Sequence, residues 1–148
     1  MKSLDIGGSE NPYLRRRYIL PKNNLFSIYL HQMLRDDDVA LHDHPGANIS
    51  IILRGGYVEH LFAWNPVPGA PLPPVITKRR RPGQIICRRA RMAHRLTLPA
   101  EDASVWTIFI FFRKWRDWGF WCGPTARWVP RQEFREGEHG EIIGKGCG

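Results

Sequence analysis

The stretch His42-Asp43-His44-Pro45-Gly46-Ala47-Asn48-Ile49-Ser50-Ile51-Ile52-Leu53-Arg54-Gly55-Gly56-Tyr57 carries the pattern that decides the fold. In an extended chain, residues two apart face the same side. His42 and His44 therefore point together, which is what two imidazoles need to chelate one ion. Pro45 confines His44 to extended backbone. Residues 49–54 read as a strand, Gly55-Gly56 as a tight turn, and residues 57–64 as the second arm of a hairpin.

Working outward, the same rhythm of short apolar runs broken by Pro and Gly continues in both directions, an all-β signature. Further strands are expected over 16–20, 25–34, 75–79, 84–88, 94–98, 105–112 and 118–121. Residues 65–74 hold five prolines and form a non-helical loop. Residues 131–135 fit a short helical turn, and no stretch keeps a helical period. Nine short strands must hide their edges, so a single-domain barrel or jelly roll follows. The most apolar run, residues 105–112, is expected at the centre of a sheet with both faces buried. It reads as ordinary core rather than as the aromatic wall of a pocket. The barrel is expected to span residues 13–135, between a flexible N-terminus (1–12) and a flexible, Gly-rich C-terminal tail (136–148).

The chain has 148 residues and 43% apolar residues, enough for one core without disulfide staples. No apolar run approaches the ~20 residues that cross a bilayer, and the start lacks the apolar stretch of a secretory signal. A soluble, cytoplasmic protein is expected. Cys87, Cys122 and Cys147 form an odd set without CxxC spacing, which suggests reduced thiols. The net charge is +8. Basic residues cluster at 78–81, at Arg88, Arg89 and Arg91, and at Arg113, Lys114 and Arg116. They read as solvated strand ends and turns. Nucleic acid is not expected as a partner, because Trp115 is the only aromatic clearly interleaved with them.

A second half-motif follows: Arg81-Pro82-Gly83, a strand over 84–88, a short turn, then His94-Arg95-Leu96. Here the sequence resembles the cupin superfamily. That family's first motif is a histidine pair, a glutamate and a closing glycine; His42, His44 and Gly55 fill three of these. Its second motif opens on a glycine, matched by Gly83, and closes on a histidine, matched by His94. With Gly55-Gly56-Tyr57, Trp106-Thr107 and Trp118-Gly119-Phe120, the chain looks like the small cupins of bacterial and phage genomes. The resemblance implies a double-stranded β-helix, a jelly-roll barrel holding one divalent transition metal on His42, His44 and His94. Fe(II) is favoured, with Zn(II) or Ni(II) as alternatives.

The family's glutamate ligand falls at Asn48, a poor donor for a transition ion. A fourth ligand, if there is one, would be Glu59, then His60 or His31. Glu59 and His60 alternate, so only one can face the interior. His31, on an apolar strand, reads better as a hydrogen-bonded core histidine. Asp43 faces away from the histidine pair, where it can bond a backbone group or Arg95 and orient the loop.

Cupins with three histidines and no glutamate include thiol and diketone dioxygenases, so the resemblance implies an Fe(II)-type dioxygenase. In that scheme Arg95 or Arg54 pairs with a substrate carboxylate, and Tyr57 donates a hydrogen bond. The partner is then a small-molecule substrate. The alternatives are a non-enzymatic cupin that binds a sugar or acid, with Trp106, Trp118 and Trp121 as stacking faces, and a metal-dependent isomerase or epimerase using Glu59 or Tyr57 for proton transfer. By resemblance the chain is also expected to pair as a homodimer.

Overall fold

Along Phe26–Met33 every second residue is buried: Ser27, Tyr29, His31 and Met33. The same two-residue period runs through Asn48–Arg54 and Tyr57–Phe62. Each strand thus turns one face inward, and two such sheets must meet to cover those faces. The computed structural model describes residues 2–8, 10–20, 23, 25–99, 104–136 and 142–148. In chain order its strands are β1 (Ser3–Ile6), β2 (Leu14–Leu20), β3 (Phe26–Met33), β4 (Leu41–His42), β5 (Asn48–Arg54), β6 (Tyr57–Phe62), β7 (Val75–Arg80), β8 (Ile85–Arg88), β9 (His94–Thr97), β10 (Val105–Phe112), β11 (Gly119–Cys122) and β12 (Arg127–Pro130). A single helical turn, α1 (Arg131–Phe134), and a small pair, β13 (Arg135–Glu136) with β14 (Ile142–Ile143), complete it.

One antiparallel sheet has the order β1-β2-β3-β10-β5-β8, and the other β12-β11-β4-β9-β6-β7. The β5–β6 hairpin leaves one sheet and enters the other at Gly55. There the backbone adopts φ +74°, and a Cβ would lie 2.6 Å from the Ser104 carbonyl oxygen. Only glycine suits that corner. Apolar packing concentrates where β3 ends and β10 begins, in Met33, Ile52, Tyr57, Ile86 and Val105. A second cluster, Phe120, Cys122, Val129 and Phe134, seats α1 on β11 and β12. Between the sheets lies a cavity of ≈ 980 Å³. No helix among the described residues is long and apolar enough to cross a membrane.

All nine expected strands form, with boundaries shifted by a residue or two. Several expectations need correction. β10 does lie centrally, but only its inner face is covered; Trp106, Ile108 and Ile110 stay half-buried on the outside. On the inside, Phe109 and Phe111 line the cavity rather than filling a core. Within the N-terminal segment expected to be flexible, Ser3–Ile6 pair in register with β2. Among the described residues of the C-terminal segment there is pairing too. β13 pairs with β14, and Cys122 forms a disulfide with Cys147, with 5.5 Å between their Cα atoms. Two of the three thiols expected to be reduced are thus joined, and Cys87 alone is free and exposed. Arg88, expected in a solvated cluster, is 3% exposed because its place in β8 points it into the barrel.

Candidate metal centre

β4 is only two residues long, yet it sits between β11 and β9, and its register sets His42 directly opposite His94. His44 lies just beyond, its backbone N–H donating to the Ala90 carbonyl at 2.9 Å. The three rings converge: their centroids are 5.2 Å (His42–His44), 4.9 Å (His42–His94) and 4.8 Å (His44–His94) apart. One nitrogen of each lies within 4.8 Å of the others. All three line the cavity.

Asp43 points the other way, as the two-residue period requires. It is buried, and its Oδ1 accepts the Gly119 N–H at 2.9 Å while its Oδ2 accepts the Trp128 indole N–H at 3.0 Å. Arg116 adds an ion pair at 3.1 Å. Asp43 thus fixes the two-histidine segment from behind, through a backbone group as expected and through Arg116 in place of Arg95.

Glu59 faces inward but does not join the three imidazoles. Its Oε2 lies 2.6 Å from His94 Nδ1 and 2.6 Å from Arg88 Nε, and its Oε1 accepts from Arg80 Nε at 2.8 Å. Both oxygens are engaged, so Glu59 braces the His94 ring and stands outside the three converging donors, unlike its expected place as a fourth ligand. With His94 Nδ1–H held by the carboxylate, the Nε2 lone pair is left for an ion. Asn48, at the family's glutamate position, accepts from Arg88 Nη1 at 3.4 Å, and Ser50 Oγ accepts at 2.8 Å. The carboxylate beside this cluster is Glu59 on β6, with Arg88 as its counter-charge.

The other candidates separate cleanly. Tyr57 is buried in the cavity wall; its hydroxyl accepts from Arg88 Nη2 at 3.1 Å, and burial raises its pKa. Its own proton has no acceptor among the described residues. Arg95 alternates with His94, so its guanidinium is outside, bonded to the Asp38 carbonyl at 3.0 Å. It cannot meet a ligand in the cavity, and Arg54 is exposed on β5. His60 also faces outward, 2.9 Å from Thr97 Oγ1. His31 is buried in the same cavity but on the opposite sheet, where Arg16 Nε donates to its Nε2 at 2.9 Å. Of the three tryptophans expected to stack on a ligand, only Trp118 lines the cavity, beside His42 at 5.8 Å between centroids.

The electrostatics suit a cation. Burial, then the neighbouring His94 and His42, pushes His44 well below the ordinary 6.5. Burial and the Arg88 charge push His94 down to about 3. Burial alone would raise Glu59, but the His94 hydrogen bond and the Arg88 charge hold it well below the carboxylate range. His44 and His94 are thus neutral donors at physiological pH, as ligation requires. His44 Nδ1 is buried without a protein partner. A soft-to-borderline ion fits these donors, and they fit it.

These shifts set the acid response of the metal-free chain. His31 is also held well below 6.5, by burial and by Arg16. An unfolded histidine titrates near 6.5. Below that pH the unfolded chain binds protons that the folded chain refuses, so stability falls as pH drops from 6.5 toward the folded values. Each such histidine removes up to ~1.4 kcal/mol per pH unit. Glu59 acts in the same direction below the ordinary carboxylate pKa. With a chelator present, the urea midpoint should fall between pH 7 and pH 5; a flat profile would contradict the buried neutral rings.

No protein-family profile matches the chain. No curated protein is similar to it in sequence. Solved structures are similar in fold. Fe(II) HppE in complex with substrate superposes with a TM-score of 0.58 at 13% identity, over 75% of this chain and 56% of that one. The fold is the cupin fold. KdgF from Halomonas sp. gives a TM-score of 0.54 at 14% identity, over 77% of this chain and 90% of that one. The DMSP lyase DddQ from Ruegeria pomeroyi DSS-3 gives 0.52 at 13%, over 68% and 47%. The chain thus spans about half the length of DddQ and HppE. At these identities the likeness concerns the fold alone; the three histidines line the cavity of this barrel.

Proposed function

We propose that this chain is a metal-dependent enzyme acting on a small molecule, a dioxygenase of the Fe(II) type. The observation that carries the reading is the convergence of His42, His44 and His94, without a carboxylate, on a cavity of ≈ 980 Å³. Three protein donors leave coordination positions open. An iron ion held there supplies Lewis acidity and one-electron redox chemistry with dioxygen. Glu59 and Asp43 hold the ligand segments in place from behind. Trp118 gives the substrate an apolar face, and Tyr57 offers it a hydroxyl proton. That a solved structure of this fold holds Fe(II) supports the metal's class.

The isomerase reading loses ground because Glu59 has both oxygens occupied and is no free base. Anaerobic Fe(II) titration of untagged protein is expected to end at one ion per chain. Oxygen uptake should then depend on a small acid. Failure to bind any divalent ion at micromolar concentration refutes the metal centre. Metal binding with ligand-induced thermal stabilisation but no oxygen uptake instead supports a binding protein.

A further inference from the structure

Arg16 of β2 lies directly across from His31 of β3. Both side chains turn inward and line the cavity that also holds the three histidines. The guanidinium rests over the Tyr29 ring, 4.3 Å from its centroid. Its Nε donates to His31 Nε2 at 2.9 Å. That bond requires a lone pair on Nε2, so the His31 proton sits on Nδ1 and the ring is neutral. His31 therefore aims Arg16 without cancelling its charge. No carboxylate among the described residues pairs with Arg16, and its two terminal nitrogens have no partner there.

Arg16 is half-buried in the cavity wall, and a cation held there without a counter-ion favours an anionic guest. Arg88 is neutralised by Glu59 and Arg135 by Asp38. Basic side chains around the cavity outnumber acidic ones six to two. Ser27 and Thr107, buried on the same inner face, add small hydroxyls to the wall.

We propose that Arg16 binds the oxyanion of the substrate, a carboxylate or phosphate group, with His31 and Tyr29 as positioning residues. The substrate is then a small organic acid with a metal-binding end and an anionic end. The planar guanidinium suits such a group through paired N–H donors. The metal-binding end rests on the function proposed above; the anionic end does not.

The test uses the full chain with four probes, acetate, succinate, inorganic phosphate and methylphosphonate, read by thermal shift and calorimetry with and without Zn(II). At least one probe should raise the melting temperature of the wild type. Its affinity should fall about tenfold or more in Arg16→Gln and recover in part in Arg16→Lys. The carboxylates and the phosphorus acids separate the two oxyanion classes. Zn(II) stoichiometry is measured on each variant. One ion per chain with no effect of any probe overturns the anion site while leaving the metal centre intact. Probe binding that depends on Arg16 without Zn(II) uptake does the reverse. Binding that is equal in wild type and Arg16→Gln also overturns the proposal. If Arg16→Gln does not fold, the His31 ring resonances of the wild type decide: they should shift on adding the binding probe, and unmoved signals refute the site.

Discussion

Glu59→Ala should unfold at a much lower urea concentration than the wild type, a loss of about 3–5 kcal/mol. The carboxylate is completely buried, and Arg88, nearly so, reaches it at 2.6 Å. Arg80 approaches its other oxygen at 2.8 Å. Removing the anion leaves the Arg88 guanidinium in the barrel with only neutral acceptors, Ser50, Asn48 and Tyr57. That uncompensated charge is the source of the loss. The double variant Glu59→Ala/Arg88→Met should recover most of the lost stability, because an apolar replacement of a whole buried ion pair is often neutral. Glu59→Gln keeps the shape but frees the His94 ring to reorient, and metal affinity should fall about 10–100-fold. A Glu59→Ala loss below about 1 kcal/mol would mean that the pair is solvated, as surface pairs are.

His94→Ala should abolish stoichiometric metal uptake. Its effect should exceed the about 10–100-fold cost of changing an outer-shell partner, since it deletes one of only three donors. His42→Ala and His44→Ala should behave alike. His60→Ala is the control: its ring lies on the outer face against Thr97, and metal content should stay at one ion per chain. Elemental analysis after anaerobic loading reads all four. Full occupancy in His94→Ala would show that the three rings do not share an ion.

The two-histidine pair was legible in the sequence because a period of two is a local property. His94 was legible only through the resemblance, since nothing near position 94 says which strand it will meet. Glu59 shows the limit most clearly. Its inward direction follows from alternation with His60, but whether it ligates or orients depends on Arg88, which arrives on another strand. Reading Arg88 as a surface charge hid that partner; its alternation with Cys87 in a four-residue strand was the available signal. Arg16 and His31 went unpaired for the same reason, as their contact exists only through the β2–β3 register. The terminal strands carry too few residues for a period to show, and a disulfide between positions 122 and 147 has no signature in spacing.

A centre assembled from three imidazoles, with no carboxylate among its donors, would pass the full double charge of a divalent ion to whatever else coordinates it. Molecules that shed a proton on arrival, such as thiols, enols and acids, gain the most from that unspent charge. By keeping Glu59 engaged with Arg88 and Arg80, the barrel would leave much of the charge neutralisation to its guest.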